Sequence, residues 1–203
     1  MKRLQDNVTI ITGGGKGIGF GLASAFAKEG SNLVITGRNE ARLLEAKKKL
    51  EEGYGVKVLA LVADGADEVK IKEVIAKTVD TFGKINTLIN NAQTSKSGLS
   101  LIEHTKEDFD LAINSGLYAT FFYMKEAFPY LKESKGSVIN FASGAGMFGK
   151  LGQSSYAAAK EGIRGLSRVA AAEWGPDGVR VNIIAPLAMT ESLTEWKEAY
   201  PEL

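Results

Sequence analysis

The sequence is poor in the residues that form metal and redox sites. It contains no cysteine, which excludes disulfide bonds, thiolate nucleophiles and cysteine metal sites within these 203 residues. Its single histidine, His104, lies in a polar loop, so we expect a solvated side chain and no metal site. The net charge is only +1, which gives no bulk attraction to nucleic acid or to an acidic membrane.

Long hydrophobic runs are also missing. The first apolar run, Val8 to Ile11, ends at a glycine cluster and is too short for a signal peptide or a membrane span. Together with the absence of cysteine, this predicts a cytoplasmic protein that does not enter a membrane.

What the sequence does contain is an alternation of short apolar runs and longer helical stretches. Predicted strands lie near Val8–Ile11, Leu33–Ile35, Val58–Val62, Thr87–Ile89, Ser137–Phe141 and Val181–Ile184. Predicted helices lie near Gly17–Glu29, Glu40–Glu52, Glu68–Phe82, Lys106–Ile113, Leu117–Leu131 and Ser155–Trp174. Consecutive apolar residues are typical of parallel strands covered on both faces. The pattern predicts an α/β fold: one doubly wound, Rossmann-type domain over residues 1–203 with a six-stranded parallel sheet.

A glycine-rich turn joins the first predicted strand to the first predicted helix. It reads Thr12-Gly13-Gly14-Gly15-Lys16-Gly17-Ile18-Gly19. Glycines there allow a tight turn and close approach of a dinucleotide pyrophosphate, while the helix N-terminus offers free N–H groups. It is not a triphosphate P-loop, because Gly17 follows Gly15-Lys16 where a magnesium-binding Ser or Thr is required.

This turn resembles the nucleotide-binding signature of the short-chain dehydrogenase/reductase family. Later motifs match in order, so the resemblance runs from about Asn7 to Thr190. The resemblance implies that Gly13, Gly15, Lys16, Gly17, Ile18, Gly19, Asp64, Asn91 and Ala92 lie beside a nicotinamide cofactor, with Asp64 contacting adenine. Gln93 departs from the family pattern, which has glycine at that position.

Charge after the second strand bears on cofactor choice. Gly37-Arg38 stands where an NAD site usually has an acidic side chain, and the first acid is Glu40. An arginine fork suits a 2′-phosphate, and Lys16 offers a second positive charge. We therefore predict NADP(H) over NAD(H).

Tyr156-Ala157-Ala158-Ala159-Lys160 places a tyrosine and a lysine one helical turn apart. A lysine ammonium and the oxidised nicotinamide favour tyrosinate, which predicts a lowered tyrosine pKa and acid–base chemistry. Ser143 lies 13 residues earlier and can hydrogen-bond a substrate oxygen. The resemblance implies that Asn114 completes this catalytic group by holding a proton-relaying water, and that Tyr156 and Lys160 also contact the cofactor.

The segment from about residue 187 to 203 corresponds to the family's substrate lid. Leu187 replaces a family glycine there, and Thr190 is the candidate contact to the nicotinamide amide. Met189, Trp196 and Tyr200 are candidates for lining the substrate pocket. The family's seventh strand is missing, so we expect either a longer protein, which we favour, or natural truncation with the sheet edge covered by assembly.

The predicted function is hydride transfer between NADP(H) and a carbonyl or alcohol, as in a reductase of 3-oxoacyl thioesters. An idle NADP-binding regulatory module is the alternative, and a nucleotide-sugar epimerase or dehydratase is disfavoured for want of a substrate domain. Leu117–Leu131 carries six aromatic residues around most of its circumference. A second buried face is therefore predicted, consistent with the homodimer or homotetramer that the resemblance implies.

Overall fold

Six parallel strands form one sheet in the computed structural model, which describes residues 2–188 and 191–201. The strands are β1 (Val8–Thr12), β2 (Asn32–Gly37), β3 (Val58–Val62), β4 (Thr87–Asn90), β5 (Ser137–Phe141) and β6 (Arg180–Ile184). Their order is β3-β2-β1-β4-β5-β6, and every neighbouring pair is parallel. The predicted doubly wound α/β fold is confirmed. Its order reverses between β1 and β4, where such sheets open a ligand crevice.

Eight α-helices connect and cover these strands in the described residues. They are α1 (Gly17–Lys28), α2 (Glu40–Tyr54), α3 (Glu68–Phe82), α4 (Lys106–Ala112), α5 (Ala119–Ser134), α6 (Gly144–Phe148), α7 (Ser154–Trp174) and α8 (Glu191–Ala199). A π-helical segment, Ile113–Tyr118, joins α4 to α5. Among the described residues, no helix combines the length and the apolar character needed to cross a bilayer.

Local sequence explains where several helices begin and end. The Asn39 side chain accepts a hydrogen bond from the Arg42 N–H and caps α2, and Asp67 caps α3 in the same way. Gly55 and Gly83 adopt left-handed backbone just after these helices, a conformation that glycine reaches without strain.

Apolar side chains alternate between the two faces of the central strand. All five residues of β1 are buried. Ile10 points into one apolar cluster with Met124 and Leu131 of α5, and Ile11 into a second cluster with Leu43 of α2. Because both faces are packed, the carboxyl ends of β1, β4 and β5 are held in fixed relative positions, and the residues that follow them form the candidate site.

Candidate active site

The glycine turn after β1 is packed so tightly that some of its glycines leave no room for a side chain. Gly13 and Gly17 have φ angles of +68° and +54°. A Cβ added to Gly19 would lie 2.1 Å from the Gly13 carbonyl oxygen. No side chain caps the N-terminus of α1, so its first N–H groups face the turn. Ile18 instead packs into the apolar cluster around Ile11 and anchors the helix.

These features fit a pyrophosphate group. The backbone can approach a ligand directly because the turn bears no obstructing side chains, and the helix dipole favours an anion. Gly15 and Gly17 lie at the partly open side of the turn, with Lys16 exposed between them.

We expect Gly19→Ala to destabilise the protein and weaken cofactor binding, because the new methyl group cannot avoid the Gly13 carbonyl. Overpacking of this kind costs about 1–3 kcal/mol. Gly21→Ala is the matched control: a Cβ there meets nothing within 4 Å, and alanine should stabilise α1 by roughly 0.5–1 kcal/mol. Urea unfolding and NADPH fluorescence titration of both variants check this. Equal behaviour of the two variants would contradict it.

The residues after β4 are tied to the glycine turn. The Thr12 hydroxyl accepts hydrogen bonds from the backbone N–H groups of Asn91 (2.9 Å) and Ala92 (3.0 Å). The Asn91 side chain donates to the Thr12 carbonyl at 2.9 Å. Asn90 is buried and bonds Asn140 of the next strand, as a structural residue does. Asn91 and Ala92 are thereby fixed at the mouth of the crevice.

Three charged side chains follow the first three strands at the carboxyl edge of the sheet. Arg38 follows β2, is exposed, and donates a hydrogen bond from its guanidinium to the Thr94 hydroxyl at 3.2 Å. Lys16 is exposed in the glycine turn. Asp64 follows β3, is exposed, and accepts from the Ala66 N–H. Two cations and one carboxylate are available to a ligand here.

Ser143 and Tyr156 meet at the carboxyl end of β5. Ser143 caps α6, where its hydroxyl accepts from the Ala145 N–H at 3.2 Å. Tyr156 lies in the first turn of α7. Burial raises the pKa of Tyr156 above its ordinary value, and a hydrogen bond with Ser143 opposes that rise. The Tyr-x-x-x-Lys spacing predicts that Lys160 lowers this pKa. In the structure the larger influence on the pKa is the loss of water around the phenol, which disfavours the charged tyrosinate.

Lys160 is buried with only 4% of its surface exposed. Its Nζ donates to the Phe141 carbonyl at 2.8 Å and lies 5.5 Å from the centre of the Tyr156 ring. Burial lowers the pKa of Lys160 from its ordinary 10.5 to about 8. A cation is thus held beside the tyrosine at a cost in stability.

That cost predicts a pH-dependent stability difference for Lys160→Met. Between the two pKa values the unfolded chain binds more protons than the folded one, so wild-type stability rises with pH through that window. Below about pH 8 the full free-energy cost of burying the charged Lys160 ammonium acts on the folded protein. We expect the variant to be more stable by about 2 kcal/mol near neutral pH, after deducting the lost hydrogen bond.

Urea unfolding at neutral and at alkaline pH measures this difference. The stability gain should shrink as pH approaches 10.5, the pKa of lysine in the unfolded chain. The exposed Lys84→Met serves as control and should show no such trend. A gain that does not vary with pH would contradict the burial argument.

Asn114 lies within the π-helical segment between α4 and α5. This segment, whose turn is wider than an α-helical one, joins the two helices predicted near Lys106–Ile113 and Leu117–Leu131. The segment packs against α7: a Cβ on Gly162 would lie 2.7 Å from the Leu117 side chain. Asn114 itself is exposed. Its turn is therefore held against the part of α7 that contains Gly162, two residues after Lys160.

His104 is not the solvated loop residue that its polar surroundings predicted. Its Nδ1 lies 3.1 Å from the Ser100 carbonyl and 3.0 Å from the Ser154 hydroxyl. Its Nε2 lies 3.3 Å from the hydroxyl of Ser155, which is fully buried. The ring thus connects the loop after β4 to the start of α7, immediately before Tyr156. No local pattern indicates these contacts, because the two segments are about fifty residues apart.

The C-terminal helix α8 packs over the same loops. The Tyr200 hydroxyl donates to the Ser97 carbonyl at 2.8 Å, and Gly98 lies directly under the Tyr200 ring. Lys150 Nζ lies 4.2 Å above the Trp196 ring. Trp196 and Tyr200 therefore pack on the loop after β4 and on Lys150, and their part in a substrate pocket stays a prediction. Met189 and Thr190, the other candidates from this segment, lie outside the described residues.

Four apolar side chains on the segments that follow β5 and β6 are exposed. Met147, Phe148 and Leu151, between Ser143 and Tyr156, are 46%, 83% and 75% exposed, and Leu187 is 95% exposed. We refer to these four residues as the apolar rim. Apolar surface concentrated beside a polar site is typical of a binding region for an apolar ligand.

Comparison with known proteins gives a consistent result. Residues 7–200 match the family described as short chain dehydrogenase. The chain is 62% identical to a 12alpha-hydroxysteroid dehydrogenase from a Clostridium species over 96% of this chain and 78% of that protein.

Two further matches are more distant. A 3-oxoacyl-[acyl-carrier-protein] reductase from Thermotoga maritima is 37% identical over 95% of this chain and 80% of that protein. The crystal structure of levodione reductase superposes with a TM-score of 0.93 at 34% identity, covering 98% of this chain and 79% of that one.

Proposed function

The chain belongs to the short-chain dehydrogenase/reductase family, and on that premise we propose that it is an NADP(H)-dependent oxidoreductase of hydroxysteroids, acting from one domain. The family membership makes it an oxidoreductase that interconverts CH–OH and C=O groups. The observation that carries the proposal is that Ser143, Tyr156 and Lys160 lie together at the carboxyl end of β5.

A nicotinamide dinucleotide, when bound, supplies the hydride; the residues of the chain position the substrate and move the proton. We propose that Ser143 donates a hydrogen bond to the substrate oxygen, where negative charge develops during reduction. Tyr156 donates its proton to that oxygen. The hydrogen bond between Ser143 and Tyr156 supports this role, because it places the two hydroxyls where they can share one substrate oxygen.

Lys160 and Asn114 are proposed to support that proton transfer. The buried Lys160 ammonium stabilises the tyrosinate that remains after the proton leaves, since opposite charges in a dry site attract strongly. Asn114 completes the group as the residue holding a water that resupplies protons. Its position on a turn packed against α7 supports this assignment.

The preference for NADP(H) is proposed from charge. Gly13, Gly15, Gly17, Ile18 and Gly19 form the pyrophosphate cradle, while Arg38 and Lys16 offer cations to a 2′-phosphate. Asp64, Asn91, Ala92 and Thr190 remain the proposed contacts to the rest of the cofactor. The hydrogen bond from Arg38 to Thr94 already holds the arginine side chain in place, so less side-chain entropy is lost when a cofactor binds.

A steroid is the substrate class that the observations favour. The relative at 62% identity is a 12alpha-hydroxysteroid dehydrogenase. The apolar rim offers exposed hydrocarbon and aromatic surface on which a rigid apolar ring system can be buried. The 3-oxoacyl thioester predicted from the sequence is a second candidate, which the reductase at 37% identity supports.

The experiment is a matched substrate panel. The purified protein is given NADP⁺ or NAD⁺ with 12α-, 7α- and 3α-hydroxysteroids, and NADPH or NADH with a 3-oxoacyl thioester. We expect turnover with a hydroxysteroid and NADP⁺. Turnover of the thioester alone would favour the second candidate. Cofactor binding without any turnover would favour an idle NADP-binding module.

Assembly and location are proposed from the same premise. Tyr118 and Phe121 at the start of α5 are 49% and 39% exposed, and Val169 of α7 is 55% exposed. These apolar positions fit burial against a second copy, so we propose a cytoplasmic homodimer or homotetramer.

A further inference from the structure

Gln93 carries an amide that the folded chain leaves without partners. It follows Ala92 in the loop after β4. Its Oε1 and Nε2 are both buried, and neither has a hydrogen-bond partner among the described residues. The amide packs on the π-helical segment, since a Cβ on Gly116 would lie 2.6 Å from the Gln93 Cδ.

The neighbours of Gln93 place it inside the site. Ala92 before it is bonded to Thr12, and its Cα would lie 3.3 Å from a Cβ on Gly13. Thr94 after it accepts at its carbonyl from the Ser115 hydroxyl at 2.8 Å. Gln93 therefore lies between the glycine turn and the turn that carries Asn114.

A buried amide without partners is unfavourable, because both of its ends lose their hydrogen bonds to water. The amide of Asn91, two residues earlier in the loop, does have a partner, because it donates to the Thr12 carbonyl. Asn90 has one unpaired atom but is bonded to Asn140 within the sheet. At Gln93 both the donor and the acceptor are unused.

We propose that Gln93 is a ligand-binding residue of this site, whose amide donates one hydrogen bond and accepts one from a neutral polar group of the bound ligand. The inference rests on the proposed function. A hydroxyl or a carboxamide pairs with both ends of an amide, whereas a charged group uses only one. Two sources offer this chemistry: the nicotinamide half of the cofactor and the oxygen-bearing part of the substrate.

The test uses Gln93→Met, which keeps the length of the side chain and removes both polar atoms. We expect the ligand-free variant to melt about 2–4 °C higher than the wild type, because an unsatisfied buried amide is gone. At the same time one ligand should bind about tenfold more weakly. Gln5→Met makes the same chemical change at an exposed position near the opposite ends of the strands, and it should alter neither property.

Binding is measured directly, so the result does not depend on turnover. Fluorescence titration gives the Kd of NADPH, and calorimetry gives the Kd of a 12α-hydroxysteroid for the NADPH-loaded protein, a pair that cannot react. A weaker NADPH Kd assigns the amide to the cofactor; an unchanged NADPH Kd with a weaker steroid Kd assigns it to the substrate.

Two results would overturn the proposal. Unchanged Kd values for both ligands would show that Gln93 binds neither. A lower melting temperature for Gln93→Met would show that the amide is paired within the folded protein. Failure of the proposed function looks different, because the wild type itself would then turn over no substrate, whereas failure of this proposal is a Kd that the wild type and Gln93→Met share.

Discussion

Tyr156→Phe should remove turnover while leaving cofactor binding nearly intact. The substitution deletes one hydroxyl from a ring packed at the start of α7 and keeps the ring itself. Positioned acid–base groups contribute about 10²- to 10⁴-fold to a rate, so we expect kcat to fall by that range. NADPH affinity should change little, because the glycine turn and the buried Lys160 remain. Single-turnover kinetics and fluorescence titration measure the two effects separately.

Tyr130→Phe is the control for this variant, since it deletes the same hydroxyl from a partly buried ring on α5. It should keep wild-type turnover. Substantial activity of Tyr156→Phe, or equal losses in the two variants, would contradict the assignment of the proton donor. The result matters because burial raises the pKa of Tyr156 in this structure, which opposes formation of the tyrosinate that proton donation leaves behind.

Arg38→Asp should reverse the preference between NADP(H) and NAD(H). The change removes the guanidinium at the end of β2 and places a carboxylate where a 2′-phosphate would lie. A hydrogen bond to a charged group contributes about 1.5–3 kcal/mol, and repulsion adds to its loss. We therefore expect the ratio of kcat/KM values for the two cofactors to shift by about 100-fold toward NAD(H).

Arg180→Asp makes the same charge change at the other end of the sheet, where β6 begins, and should leave that ratio unchanged. Steady-state kinetics with both cofactors decide the matter. A wild type that already prefers NAD(H) would refute the interpretation of Arg38 and Lys16. If the ratio of kcat/KM values for NADP(H) and NAD(H) shifts equally in both variants, Arg38 is not the residue that contacts the 2′-phosphate.

The strands could be predicted from the sequence because their chemistry is local. β1, β4 and β5 are apolar on consecutive residues, and glycine or asparagine follows at the carboxyl ends of β1 and β4. These signals depend only on neighbouring residues, so the order of elements and the edge that carries the site followed directly. The structure confirms the order of elements, and the edge that carries the site stays a prediction.

Other features depend on residues that are distant in the chain. The π-helical turn at Asn114 is set by packing of Leu117 against Gly162, which periodicity does not reveal. The contacts of His104 with the start of α7 arise only when the loop folds back. The same holds for Tyr156, whose pKa reflects burial that the Tyr-x-x-x-Lys spacing could not show.

The most direct test of the account is transfer of a labelled hydride. NADPH deuterated at the nicotinamide C4 is incubated with the 12-keto form of a hydroxysteroid, and the product is analysed by mass spectrometry, with Tyr156→Phe as the negative control. The account predicts an alcohol that carries deuterium on the former carbonyl carbon, formed by the wild type and not by the variant. Tight NADPH binding with no deuterium in the product of any ketone tested would contradict it.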